Sequence, residues 1–260
     1  MSSAFVPTAS QKDWSGAARD ERRQRPAGDL KKPNLPGDRN WVRRCYDGPA
    51  GWMLRVGSLL SLHEQLVGRL ITGGGFDVRG CRSILDVGAG AGQILRHLLS
   101  SMDPGANVTA IDLSTGMLQR TRRRLQNERP VLLAADLTRL PFSDASFDCV
   151  TCGWVLEYQQ DPTPALREIR RVLIPGGKLL VLATDDTHAG RLVGRLWSCR
   201  TFTTRALRTA CRDAGLTWRR RHWLSPVHRF LGAGGILFEV TRPRLEAPHS
   251  RDAARSRSPG

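Results

Sequence analysis

The sequence predicts an α/β protein: a doubly wound sheet of seven strands, mostly parallel, with an antiparallel edge. Three observations carry that expectation. Between residues 83 and 183 short apolar runs alternate with helically spaced segments, the first run ends in a glycine-rich turn, and the last two runs, further on, are joined without a helix.

The elements follow in order. Trp52–Leu70 places Leu54, Leu59, Leu62, Leu66 and Leu70 at helical spacing and ends at Gly73-Gly74-Gly75. Ser83–Val87 is a strand and Gln93–Met102 a helix, followed by strand Asn107–Asp112 and helix Thr115–Gln126. Val131–Ala135 and Phe147–Cys152 are the third and fourth strands. Asp161 before Pro162 reads as an N-cap and a first-turn proline, opening a helix that buries Leu166, Ile169, Val172 and Leu173 and stops at Pro175-Gly176-Gly177. Lys178–Ala183 is the fifth strand. Thr203–Ala214 is a helix closed by Gly215, and Thr217–Trp223 and Ile236–Thr241 close the sheet.

This pattern divides the chain. Residues 1–40 and 244–260 are rich in small, polar and charged residues without periodicity, and are expected to be flexible arms. Residues 41–243 form the domain: a helical cap at 41–75, a core at 82–184, and a closing helix with two strands at 186–243.

Composition excludes several classes. With 260 residues, 40 % hydrophobic and 25 % charged, the chain reads as a soluble globular protein. It holds no apolar run near the ~18 residues of a membrane span, and acidic Asp13, Asp20 and Glu21 interrupt any leader pattern, so a cytoplasmic location is expected. Cys149 and Cys152 are spaced to fall on opposite faces of a strand, with no second pair, so no metal site is expected. The net charge of +16 is uneven: +5 over residues 1–44, +1 over 45–185, +7 over 186–240 and +3 over 241–260. Nearly all the basic residues are arginine, which reads either as coding bias or as a phosphate-binding surface.

Open sheets of this kind bind ligands at the carboxyl ends of their strands. The first strand runs into Asp86-Val87-Gly88-Ala89-Gly90-Ala91-Gly92-Gln93. Its glycines let a backbone turn tightly and approach a ligand closely; the bland alternative is a strand-to-helix turn. The spacing is not that of a dinucleotide fingerprint, whose third small residue would fall at Gln93. The second strand ends at Asp112, placed to accept ribose hydroxyls, and the third at Asp136, placed to accept an adenine amine. Any one of these carboxylates could be a helix cap. Together with the glycines they describe a pocket for an adenosine carrying an amino-acid tail.

These stretches resemble the class I S-adenosylmethionine-dependent methyltransferases, in particular the ubiquinone- and menaquinone-biosynthesis-like group. The resemblance rests on Ile84–Gly92, Ala110–Leu118, Ala134–Asp144, Ser146–Val150 and Ala165–Lys178, about 100 residues of the chain. It implies a Rossmann-like fold with S-adenosyl-L-methionine as cofactor. It further implies that Asp86, Gly88, Ala89, Gly90 and Gly92 border the methionine part, Asp112 the ribose, Leu113 and Met117 the adenine faces, and Asp136 with Leu137 the adenine edge. Trp154 would line the methyl-transfer side, and Tyr46 or Arg43 from the cap would reach the methionine carboxylate. The fourth strand continues Gly153-Trp154-Val155-Leu156-Glu157-Tyr158, without the histidine pair of many relatives.

A sulfonium methyl is already activated, so a base is needed only where the acceptor must lose a proton. Glu157, Tyr158 and His188 are the candidates; their structural alternatives are a loop cap, a packed ring and a surface turn. The expected acceptor is a small molecule or lipid. The segment 186–240 interleaves ten arginines with Trp197, Phe202, Trp218, Trp223 and Phe230, which fits core aromatics with solvated arginines, an anionic membrane surface or acidic substrate, or RNA. An RNA methyltransferase and a non-catalytic cofactor-binding scaffold therefore stay open as alternatives.

Overall fold

The computed structural model describes residues 63–126, 130–223, 225–226 and 235–244, with backbone alone for His63, Leu196 and Trp197. The expected arm at 1–40, all of the expected arm at 244–260 but Arg244, the part of the cap before His63, and Tyr46 and Arg43 lie outside the described residues.

The strands are β1 Ser83–Val87, β2 Asn107–Asp112, β3 Val131–Ala134, β4 Phe147–Gly153, β5 Leu173–Ala183, β6 Thr217–His222 and β7 Ile236–Thr241. They form one sheet in the order β3-β2-β1-β4-β5-β7-β6. β1 to β5 pair in parallel. β7 runs antiparallel between β5 and β6, so β6 again points the same way as β5. The strand order reverses between β1 and β4, which makes the carboxyl ends of these two strands the switch point of the sheet.

Among the described residues the helices are α1 His63–Thr72, α2 Gln93–Ser101, α3 Thr115–Leu125, α4 Thr163–Val172, α5 His188–Trp197 and α6 Thr204–Asp213. Strand alternation sorts the core into two layers. Ile84, Cys149, Leu180, Leu182 and Leu237 face α1 and α2, while Leu85, Val87, Val150, Cys152, Leu179, Val181 and Phe238 face α4 and α6. Cys149 and Cys152 thus do lie on opposite faces.

Three expectations need correction. β5 starts at Leu173 and not Lys178, because Gly176 and Gly177 exchange backbone hydrogen bonds with Arg242 and extend the ladder past Pro175. Pro162, not Asp161, stands at the N-cap of α4, with Asp161 accepting from the Thr163 N–H at 2.9 Å. His188 is not on a turn: it opens α5, an unanticipated helix capped by the Thr187 hydroxyl, whose Gly190 and Gly194 argued against helix by propensity.

Candidate active site

The glycine loop after β1 is held from both sides. Gly88 and Ala89 donate to the Ile111 carbonyl at 2.8 and 3.0 Å, and Gly90 N–H donates to Asp112 Oδ2 at 2.9 Å. Thr121 of α3 donates its hydroxyl to the Gly90 carbonyl at 2.8 Å. Gly88, Gly90 and Gly92 all have positive φ. At Gly88 the need is steric as well, since an added Cβ would sit 1.9 Å from Val155 Cγ2, on the loop after β4. The β1 and β4 loops therefore touch at the switch point only because Gly88 has no side chain.

The carboxylates expected at three successive strand ends are at one end of the sheet. Asp112 accepts from Gly90 N–H and, through Oδ1, from Ser114 N–H at 2.8 Å. Asp136 accepts from the N–H and the hydroxyl of Thr138, both at 2.9 Å, in a tight turn. Asp86 is 1 % exposed. Its Oδ1 accepts from the Thr151 hydroxyl at 2.6 Å, while Oδ2 is buried without a hydrogen-bond partner. Burial pushes its pKa up to about 7 against the opposing Thr151 bond. Leu113 is half-buried, Met117 and Leu137 are buried, and Ser114 caps α3 by accepting from Met117 N–H at 3.0 Å.

Trp154 leaves β4 at φ 52°, a left-handed conformation that a bulky side chain adopts at a cost. A 3₁₀ turn, Leu156–Tyr158, follows. Glu157 on that turn is buried; its Oε1 accepts from the N–H and hydroxyl of Thr184 at 2.7 and 3.0 Å, while its Oε2 has no partner. Burial raises its pKa to about 7. Tyr158 is half-buried on the same turn, and His188 is exposed at the start of α5. Parallel pairing puts Asp86 with the loop of Gly88, Ala89, Gly90 and Gly92, Asp112 with Leu113, Asp136 with Leu137, and Trp154 at the carboxyl ends of β1, β2, β3 and β4, with Met117 on α3, Glu157 and Tyr158 on the turn after β4, and His188 on α5. Thr151, Val155 and Thr184 were not anticipated. Thr151 carried a signal, a hydroxyl inside an apolar strand, and register sets it directly opposite Asp86.

The residues present fit an S-adenosylmethionine-type ligand: an unpartnered buried carboxylate oxygen on Asp86 beside a loop of glycines and alanines, and an oriented carboxylate at the end of β2. Among the described residues no cluster of His, Cys, Asp or Glu could hold a metal ion.

Comparison with known proteins bears on the family and the fold. Residues 85–181 match the family model for a methyltransferase domain. A malonyl-[acyl-carrier protein] O-methyltransferase of Hahella chejuensis is 32 % identical over 217 residues, covering 76 % of this chain and 72 % of that protein. A demethylmenaquinone methyltransferase of Clavibacter sepedonicus is 39 % identical over 141 residues, 54 % of this chain and 56 % of that one. In structure, magnesium protoporphyrin IX methyltransferase of Synechocystis PCC 6803 with bound S-adenosylmethionine superposes at a TM-score of 0.62 and 17 % identity, covering 81 % of this chain and 99 % of that one, a likeness of fold. The fold is the Rossmann-like fold of those methyltransferase structures. The chain belongs to the S-adenosylmethionine-dependent methyltransferase family. It spans about half the length of most curated relatives it matches, for example 48 %, 56 % and 58 %.

Proposed function

We propose that this chain transfers the methyl group of S-adenosylmethionine to a small organic or lipid-type acceptor by in-line displacement. The observation that supports this most is the set of Asp86, Asp112 and Asp136 at three successive strand ends around a glycine loop built for close approach. The bound cofactor supplies a methyl group already activated on a sulfonium, so the chain's part is to bind, align and exclude water.

In this reading Asp112, oriented by Gly90 and Ser114, accepts the ribose hydroxyls, and Asp136 with Leu137 meets the adenine edge between Leu113 and Met117. Asp86 gives up its proton to face the cationic methionine end with Oδ2. Gly88, Ala89, Gly90 and Gly92 border that end, Trp154 lines the methyl side, and Tyr46 or Arg43 meets the methionine carboxylate. Glu157, buried against Thr184, is a positioning residue for the turn that carries Tyr158. Tyr158 and His188 are the side chains left to take a proton when the acceptor must lose one. We place the reaction in the cytoplasm, where the free thiols at Cys81, Cys149, Cys152, Cys199 and Cys211 stay reduced.

Incubation with methyl-labelled cofactor and fractionated cell extract tests this. Label in the organic or lipid-soluble fraction is expected. Label confined to RNA overturns the acceptor class, and cofactor binding with no label in any fraction points to a non-catalytic scaffold.

A further inference from the structure

The carboxyl end of β5 leads into an excursion anchored at both ends to the rim of the site. Phe202 N–H donates to the Thr184 carbonyl and Asp186 N–H to the Phe202 carbonyl, each at 2.9 Å, and Arg200 N–H donates to the Glu157 carbonyl at 3.1 Å. Between these anchors stands α5. Among its described residues, Gly190 and Gly194 lie on the inner face. A Cβ at Gly190 would lie 1.8 Å from the Asp185 carbonyl oxygen, and one at Gly194 would lie 2.8 Å from that of Cys199. The helix backbone therefore packs closely on the segments that lead into and out of it.

Helical geometry then sends Leu192 directly away from the protein, flanked by His188 and Arg195, with Arg191 and Val193 to either side. Leu192 is 69 % exposed and Val193 42 %; with Val131 they are the exposed large hydrophobic residues among those described. The helix carries no acidic residue. Arg191 and Arg195 are exposed, and Arg191 is tethered to Asp186 at 3.0 Å. The neighbouring α6 adds exposed Arg205, Arg208 and Arg212 at helical spacing, with Leu207, Ala210 and Cys211 turned inward. A leucine at the crown of a short basic helix is costly to leave in water, and it suits an interface whose headgroups are anionic and whose interior is apolar. An anionic bilayer offers both layers in that order, acidic headgroups for the arginines and an apolar interior for Leu192.

We propose that α5 is an interfacial anchor that seats this end of the sheet on an anionic lipid bilayer, Leu192 and Val193 entering the headgroup boundary and the arginines of α5 and α6 facing acidic headgroups. The anchor brings the carboxyl end of β5, at Thr184 and Phe202, toward the bilayer surface. It does not depend on the identity of the methyl acceptor.

The test is sedimentation of the full chain with vesicles of phosphatidylglycerol and phosphatidylcholine, or of phosphatidylcholine alone, scored by bound protein and not by methyl transfer. Binding is expected on the anionic vesicles, weakened but not abolished by salt. Leu192→Asp should reduce it about tenfold, the scale of losing one inserted leucine. Val131→Asp, which makes the same charge change at the far edge of the sheet, should leave it unchanged. Leu192→Ser repeats the test should the aspartate lower the melting temperature. Equal binding by wild type, L192D and V131D would overturn the proposal, since the basic arms alone would then account for attraction. So would absence of vesicle binding in a chain retained by RNA or by an acidic protein.

Discussion

Thr151 on β4 donates its hydroxyl to Asp86 Oδ1 on β1 at 2.6 Å, and it is the hydrogen bond that steadies the carboxylate, since Oδ2 is buried with no partner. The two residues face each other in the parallel register. Desolvation holds the Asp86 pKa at about 7, so the group is poised to ionise when a cation arrives. Replacing Thr151 by Val removes about 1–1.5 kcal/mol of support for the ion. Cofactor affinity of T151V at pH 7 is expected to fall about tenfold and to recover toward pH 9. Calorimetric titration from pH 6 to 9 measures this, and in D86N the pH dependence should vanish. An unchanged affinity in both variants would remove Asp86 from the methionine site.

The same carboxyl and that of Glu157 give stability a definite pH slope. Both are buried and both have pKa values raised by desolvation to about 7, from ordinary values of 3.8 and 4.5. Between about pH 4.5 and 7 the folded chain keeps protons that the unfolded chain has released, so stability falls as pH rises and levels off above 7. A shift of about three units corresponds to roughly 4 kcal/mol at Asp86. Denaturant unfolding at pH 5 and pH 8 should show a smaller difference in D86N and in E157Q than in the wild type. A wild type that gains stability from pH 5 to pH 8 while both variants keep its slope would contradict the assignment.

Asp112 serves both the loop and the ligand in the proposed site. Its two oxygens accept from Gly90 and Ser114 N–H at 2.9 and 2.8 Å. Asp112→Ala leaves both donors without their acceptor and removes the proposed ribose contact. Cofactor affinity is expected to drop by more than a hundredfold, from about 1.5–3 kcal/mol for each charged hydrogen bond. Adenosine itself should lose affinity in parallel, whereas D86N should spare adenosine. Calorimetry with the nucleoside and the whole cofactor separates the two ends of the site; equal losses for both variants on adenosine would refute the division.

Much of this was legible in the sequence because it is encoded locally. Strand alternation set the two core layers, and β1, β2, β6 and β7 end within a residue of where the apolar runs end. The acidic strand ends were visible because parallel topology forces the carboxyl ends of β1, β2 and β3 to one side. What escaped depends on contacts between distant segments. The helix α5 was hidden by Gly190 and Gly194, whose presence is explained by backbone of residues 185 and 199 pressed against them. The role of Thr184 is set by the side chain of Glu157, 27 residues earlier. The long start of β5 needed Arg242, which no local pattern pairs with Gly176 and Gly177.

Gly88 and Val155 make a paired test of the switch point. Alanine at 88 must adopt φ 72° and place its Cβ 1.9 Å from Val155 Cγ2. G88A is expected to lose about 2–4 kcal/mol, from roughly 1–2 of backbone strain and 1–3 of overpacking. Cutting Val155 back to Ala should return the overpacking part, leaving the strain. Thermal melts of the single and double variants read the difference. If V155A restores nothing to G88A, the two loops are not in contact.

Gly68 and His97 hold α1 against α2, and the effect on stability runs against helix propensity. Glycine to alanine inside an exposed helix ordinarily gains about 1 kcal/mol. At Gly68 a Cβ would lie 2.3 Å from the His97 ring, whose Nε2 is buried without a hydrogen-bond partner. The ring has little room to yield, because Glu64 on the next turn of α1 binds Arg124 of α3 and Arg96 of α2 and pins the helix in place. G68A is therefore expected to destabilise by about 1–3 kcal/mol, the usual range for overpacking. G68A/H97A should be more stable than G68A, because the space opened by His97 accepts the methyl group and the propensity gain reappears. Unfolding by denaturant decides it: a stabilised G68A would mean that α1 does not rest on His97.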